Sequence, residues 1–335
     1  MTRAFPAPPP VGDQSLYDLQ YRRFAAPVAA LAQEAGLCEL LLERPRTIPE
    51  AAEALGVTPR AAEAMVAVVA ALGFARNDGG GRFALTDLGR TYLLPASPFG
   101  RRLGRGDDPI LNELRSAFRS GEPASPLAVA MEALPEAEVR EFIGRMHALT
   151  LPAAGSLARQ PVFGGVGLLL DVGAGSGSLS AAVAAAHPGV RCTLLDLPEV
   201  CAIAAENIRG YGLEDRVATR PADMFRDPWP GGHDAALFGN IFHDWDPASC
   251  AELARRAFEA LEPGGRVLLH EMPLAETRDG PLTVACFSVA MLLYEKGKQY
   301  TLSELEEMLG VAGFVDFESA ASHGYYHLIS ARKPG

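Results

Sequence analysis

The spacing of apolar positions changes character twice along the chain. Residues 16–43 read as helices, with a break around Gly36. The stretch 47–73 reads as two short helices joined at Gly56-Val57-Thr58, where Thr58 caps the second and Pro59 opens it. Phe74-Ala75-Arg76, a Gly-rich turn over 77–81 and Arg82-Phe83-Ala84-Leu85 predict a small hairpin. Two helices followed by a hairpin are the outline of a winged helix. Residues 107–160 predict further helices broken at Pro123, Pro126, Pro135 and Pro152. From Gly167 on, short apolar runs alternate with helical stretches. Strands are expected at 168–172, 191–196, 216–219, 234–239 and 265–271, with a closing pair near 314–317 and 325–331. That alternation argues for an α/β sheet wound with right-handed crossovers.

The carboxyl ends of such strands are where a ligand lies, and the polar residues of this chain gather there. Leu168-Leu169-Leu170-Asp171-Val172 runs into Gly173-Ala174-Gly175-Ser176-Gly177, a turn whose missing side chains admit a ligand to bare backbone. Asp196 closes the next run, Cys192 to Leu195, where a carboxylate meets ribose hydroxyls. Asp223, the Gly239–His243 run and Glu271 follow later strands at the same edge. The turn and Asp196 together indicate an adenosine-containing cofactor without choosing one.

Composition narrows the partners. The 335 residues suffice for one large or two ordinary domains, and a net charge of −11 argues against nucleic acid and anionic membranes. The helix 59–72 carries one Arg and one Glu among apolar residues, so it is built for burial rather than groove reading. Surplus apolar helix surface in this region suggests a subunit interface. Cys38, Cys192, Cys201, Cys250 and Cys286 form no CxxC pair and no metal-site spacing, and read as reduced residues of a cytoplasmic protein. Residues 1–14, with AFPAPPP, lack a signal-peptide layout and suggest a disordered or polyproline tail. No apolar run reaches the roughly 18–20 residues of a membrane span. The polar and aromatic cluster 323–327 is accounted for by alternation on an edge strand.

Six segments line up in order: Asp171 to Gly177, Leu195-Asp196-Leu197-Pro198, Ala222-Asp223-Met224-Phe225, Ile241-Phe242-His243-Asp244-Trp245-Asp246, Glu262-Pro263-Gly264-Gly265 and Leu269-His270-Glu271. With these the chain resembles, over nearly its whole length, the S-adenosylmethionine-dependent O-methyltransferases of the caffeate, isoflavone and acetylserotonin type, including their bacterial natural-product branch. The resemblance implies a C-terminal Rossmann-like class I methyltransferase domain (161–335), an N-terminal, mainly helical winged-helix dimerisation domain (15–105), and a helical linker (106–160) contributing to the acceptor pocket. It implies a homodimer, S-adenosylmethionine as methyl donor with S-adenosylhomocysteine as product, no metal, and a small-molecule acceptor.

Site roles follow from the same resemblance. Asp171, Gly173 and Gly175 would form the cofactor turn, with Asp196 and Leu197 at the ribose, Asp223 and Met224 flanking the adenine, Trp245 covering it and Asn240 also against the cofactor. His243 would be the general base, oriented and stabilised by Glu271. A phenol of pKa about 10 and an imidazole near 6.5 are mismatched in water, so the carboxylate and a concerted transfer are needed. Phe142, Met146, Leu149, Phe287 and Met291, on helices around 127–150 and 284–294, would line the acceptor pocket.

Two departures stand out. Gln299 occupies the position of a second carboxylate in plant relatives, leaving Glu295 to substitute or the site to work with one acid. Gly239-Asn240 lacks the lysine common there. The expected reaction is O-methylation of an aromatic or polyketide-like hydroxyl. Alternatives are C- or N-methylation on the same scaffold, or a repurposed enzyme that keeps the cofactor. A ligand-sensing winged-helix regulator is disfavoured by the charge and the apolar helix.

Overall fold

Thr47 and Thr58 start their helices through their side chains. Thr47 Oγ1 accepts from Glu50 N at 3.3 Å while Glu50 Oε2 accepts from Thr47 N at 2.7 Å, a reciprocal cap for the helix Ile48–Leu55. Gly56, at φ +67°, ends that helix, and Thr58 caps Pro59–Ala71. The computed structural model, which describes residues 3–104, 108–123, 131 and 134–335, continues into a hairpin of β1 (Ala75–Asn77) and β2 (Phe83–Leu85). Helix pair and hairpin give the winged-helix outline.

The helix Pro59–Ala71 buries nine of its residues inside this chain, packing against helix Leu282–Tyr294, itself buried from Thr283 to Leu293. The apolar surface in which the sequence suggested a subunit contact is therefore covered from within. One hydrophobic core runs from Tyr17 and Phe24 through Met65 and Val68 to Phe287 and Met291. An ion network ties the same parts together: Glu63 pairs with Arg278 (3.0 Å) and Lys298 (2.7 Å), and both also meet Glu304.

Pro152 does not break its helix. Glu136–Leu157 is continuous for 22 residues, although Pro152 lacks the N–H of one backbone bond. Side-chain contacts to the next unit hold the helix across that point: Thr150 Oγ1 meets Ser178 Oγ at 2.7 Å and His147 Nδ1 meets Ser176 Oγ at 2.9 Å. Residues expected as a free tail also make contacts. Arg3 N donates to Gly210 O at 2.8 Å, Phe5 packs on Tyr211, and Asp13 meets His323 at 2.7 Å.

The sheet that carries the site contains β3 (Leu168–Val172), β4 (Arg191–Asp196), β5 (Val217–Pro221), β6 (His233–Gly239), β7 (Leu261–Glu271), β8 (Val315–His323) and β9 (Tyr326–Arg332). Their order is β5-β4-β3-β6-β7-β9-β8, parallel except for the last two pairings. Strand alternation divides two cores. Leu169, Leu194, Leu237 and Leu268 face helices Ser178–Ala186 and Pro198–Gly210, while Leu170, Leu195, Phe238 and Leu269 face Pro247–Ala260 and Leu302–Val311. Strand β8 is longer than the short run the sequence suggests. As an exposed edge strand it buries little, so pairing with β9 rather than an apolar pattern holds it.

Candidate active site

The order reverses between β3 and its neighbours β4 and β6, and the crevice there collects the candidate residues. Gly173, Gly175 and Gly177 have φ of +65°, +54° and +74°, conformations that L side chains rarely adopt. They serve different ends. A Cβ on Gly173 would stand 2.4 Å from Ile241 Cδ1 and one on Gly177 2.8 Å from Leu194 Cδ1, whereas a Cβ on Gly175 would meet nothing within 4 Å. Only Gly175 presents its bare face to open space; the other two are required by packing.

Asp196 receives Gly175 N on Oδ2 and Leu197 N on Oδ1, both at 2.7 Å. Each oxygen keeps a lone pair for a further donor, the arrangement a ribose diol needs. Burial pushes its pKa up to about 6, against the two backbone bonds. Asp171 sits beneath the turn. Its Oδ2 accepts from Ser180 Oγ at 2.6 Å, and burial raises its pKa to about 7. It braces strand against helix instead of lining the crevice.

Asp223 caps its own turn, with Oδ1 accepting from Phe225 N at 2.7 Å and Oδ2 meeting exposed Arg226 at 3.2 Å. Met224 belongs to the core around Phe238 and Phe242, and its carbonyl accepts from Trp229 Nε1 at 3.0 Å. The Trp245 ring stands edge-on to Phe225, centroids 4.6 Å apart. Phe225 was not singled out in the sequence; its place directly after Asp223-Met224 was the signal. Asn240 holds φ +57°, and its Oδ1 is buried without a partner.

His243 and Glu271 meet as expected. His243 Nδ1 lies 2.7 Å from Glu271 Oε2, while Glu271 Oε1 accepts from Ile241 N (3.0 Å) and Phe242 N (2.9 Å). Asp244 Oδ1 lies 3.2 Å from Nε2, so the ring has a carboxylate at each nitrogen. Burial opposes charge on the imidazole, but Glu271 and Asp244 outweigh it and raise its pKa well above 6.5. The second acid at this ring is thus supplied by its own chain neighbour.

The five acceptor candidates divide. Phe287 lies against His243 (centroids 5.0 Å) and stacks on Tyr21 at 4.0 Å, within the core that holds Met291 and Leu149. Phe142 packs elsewhere, with Val139, Ile143, Val200 and Leu197. Met146 is half-buried on the same helix. Part of the expected 127–150 helix, 127–130 and 132–133, lies outside the described residues, as does the expected domain junction at 105–106. Tyr21 was missed, because nothing local in the sequence links the first helix to a histidine more than 200 positions away.

Gly-rich turn, paired acids and buried imidazole still suit more than one adenosine-cofactor enzyme. Residues 131–315 match the O-methyltransferase domain family. The chain belongs to that family. This O-methyltransferase is 33% identical to the 3-hydroxy-5-methyl-1-naphthoate 3-O-methyltransferase of Streptomyces sahachiroi over 89% of its own length and 88% of that protein's. It is 30% identical to acetylserotonin O-methyltransferase of Bos taurus, covering 90% and 92%. The solved family 2 O-methyltransferase of Planctomyces limnophilus, in complex with apigenin, superposes with a TM-score of 0.88 at 26% identity over 99% of both chains. Members of the family take the methyl group from S-adenosylmethionine.

Proposed function

We propose that this O-methyltransferase methylates a hydroxyl of a small aromatic or polyketide-like acceptor, with His243 as general base. The observation that carries the reading is the fixed imidazole: Glu271 holds Nδ1 at 2.7 Å and is itself held by two backbone N–H groups. Glu271 fixes the ring through Nδ1, and the acceptor hydroxyl would take the place of Asp244 Oδ1, 3.2 Å away, at Nε2. The substrates named for the naphthoate and acetylserotonin relatives support an aromatic acceptor.

S-adenosylmethionine, when bound, supplies a methyl group already activated by its sulfonium. This chain's residues fit it. Asp196 has lone pairs for the ribose, Gly175 leaves room for close approach, and the unpartnered Asn240 Oδ1 offers an acceptor. Asp223, Met224, Phe225 and Trp245 would enclose the adenine. Phe287, Met291 and Leu149, with Tyr21, would hold the acceptor ring beside His243 and exclude water. His243 takes the acceptor proton at Nε2, and Glu271 with Asp244 stabilises the resulting imidazolium.

His243→Ala is expected to lower kcat by roughly 10²–10⁴ while S-adenosylmethionine affinity barely changes. Turnover near wild type in a variant that still binds the cofactor would sink the assignment. A homodimer and a cytoplasmic location belong to the same proposal. Leu16 (66% exposed) and Leu19 (77% exposed) on the first helix support the former, and five free, buried cysteines support the latter. Among the described residues no single helix is long and apolar enough to cross a membrane.

A further inference from the structure

The segment 295–301 closes directly over the catalytic loop. Lys296 N and Gly297 N donate to Asp244 O at 3.1 and 3.0 Å, and Tyr300 OH donates to Trp245 O at 2.6 Å. A Cβ on Gly297 would stand 2.3 Å from His243 O, so the approach requires glycine. Within this extended stretch Lys298 reaches Glu63 and Glu304, with its ammonium 5.4 Å from the Tyr300 ring centre. The parallel bridge between Leu274 and Thr301, with Leu274 N donating to Tyr300 O at 2.9 Å, ties the same stretch to the residues that follow Glu271.

Gln299 is 1% exposed, and its backbone N donates to Ser288 Oγ at 3.0 Å. Its side-chain Oε1 and Nε2 are both buried with no hydrogen-bond partner. A buried amide with neither end bonded is unfavourable, and such groups persist where something outside the chain completes them. The charges on the loop that its segment covers point to what that is. The imidazole already has Glu271 and Asp244 on its two nitrogens. A third acid here would repel an anionic substrate group, whereas an amide adds a donor without charge.

We propose that Gln299 selects the acceptor: its Nε2–H donates to a carbonyl or carboxylate oxygen carried next to the reacting hydroxyl, so the enzyme prefers hydroxyaryl carbonyl compounds. The inference rests on the methyltransferase reading above and narrows its substrate class. Both Oε1 and Nε2 are then used when the acceptor also carries a second hydroxyl.

The test compares 1-hydroxy-2-naphthoate with 1-naphthol in the full-length wild type, Gln299→Met and Gln299→Glu. Binding is measured by titration calorimetry with S-adenosylhomocysteine present, and methyl transfer by mass spectrometry. Thermal melting and S-adenosylhomocysteine affinity report whether each variant is folded. Wild type is expected to favour the carboxylated acceptor by about tenfold or more, from a charge-assisted bond. Gln299→Met should erase that preference, and Gln299→Glu should reverse it while 1-naphthol binding persists. Equal preference in all three proteins, a wild-type preference for 1-naphthol, or no binding of either acceptor would overturn the inference. Methylation with unchanged selectivity defeats only the role of Gln299; absence of cofactor binding defeats the reading beneath it.

Discussion

An imidazole with a carboxylate at each nitrogen is a stronger base than free histidine, and its resting proton is harder to remove. Because the pKa of His243 is raised well above 6.5, the neutral base becomes abundant only as pH rises through that raised value. The acid limb of kcat/KM should therefore lie above pH 6.5 for an acceptor that stays protonated across the range. Glu271→Gln removes one of the two charges that oppose burial at the ring, so the limb should move to lower pH while the maximal rate falls. An unshifted limb in that variant would exclude Glu271 as the cause. The contact of His243 with Glu271 was legible in the sequence because one follows a strand and the other ends the next strand of the same sheet edge. Asp244 was not assigned its role, because consecutive residues do not normally face one another. The short 3-10 turn Phe242–Asp244 brings its carboxylate back to Nε2.

At the scale of the element, the Gly-rich turn reads in the sequence as bare backbone open to a ligand, and the contacts separate its three glycines. Gly177→Ala forces a methyl against Leu194 at φ +74°, and thermal or denaturant unfolding should show a loss of about 1–3 kcal/mol. Gly175→Ala places its methyl in open crevice. Beyond a backbone cost of about 1 kcal/mol, it should weaken S-adenosylmethionine binding by roughly tenfold or more in a titration. Equal cofactor affinity in wild type and Gly175→Ala would show that nothing binds there. Helix caps at Thr47 and Thr58 and the strands β3 and β4 were readable because local chemistry and period set them. Pro152 and β8 were misjudged because neighbours decide them: a helix clamped by Ser176 and Ser178 tolerates a proline, and an edge strand lives on its pairing.

Across the whole molecule, the N-terminal helices are part of the catalytic domain's packing. The Glu63–Lys298–Glu304–Arg278 network and the shared core bind the winged-helix region to the loop over His243. Leu16 and Leu19 are among the apolar residues of this region left exposed, and light scattering should report a dimer that Leu16→Asp with Leu19→Asp converts to monomer. A wild-type monomer would refute the dimer. The sequence by itself determined the α/β class, the sheet edge and the acids and histidine arrayed along it. Period and turn chemistry are local, and strand order puts every carboxyl end of the parallel strands on one side. Only the tertiary structure decided which glycine is open, that Asp171 braces the turn, that Tyr21 stacks behind Phe287, and that Gln299 is buried with its amide unanswered. Those are contacts between distant segments, fixed by packing, and no local pattern encodes them.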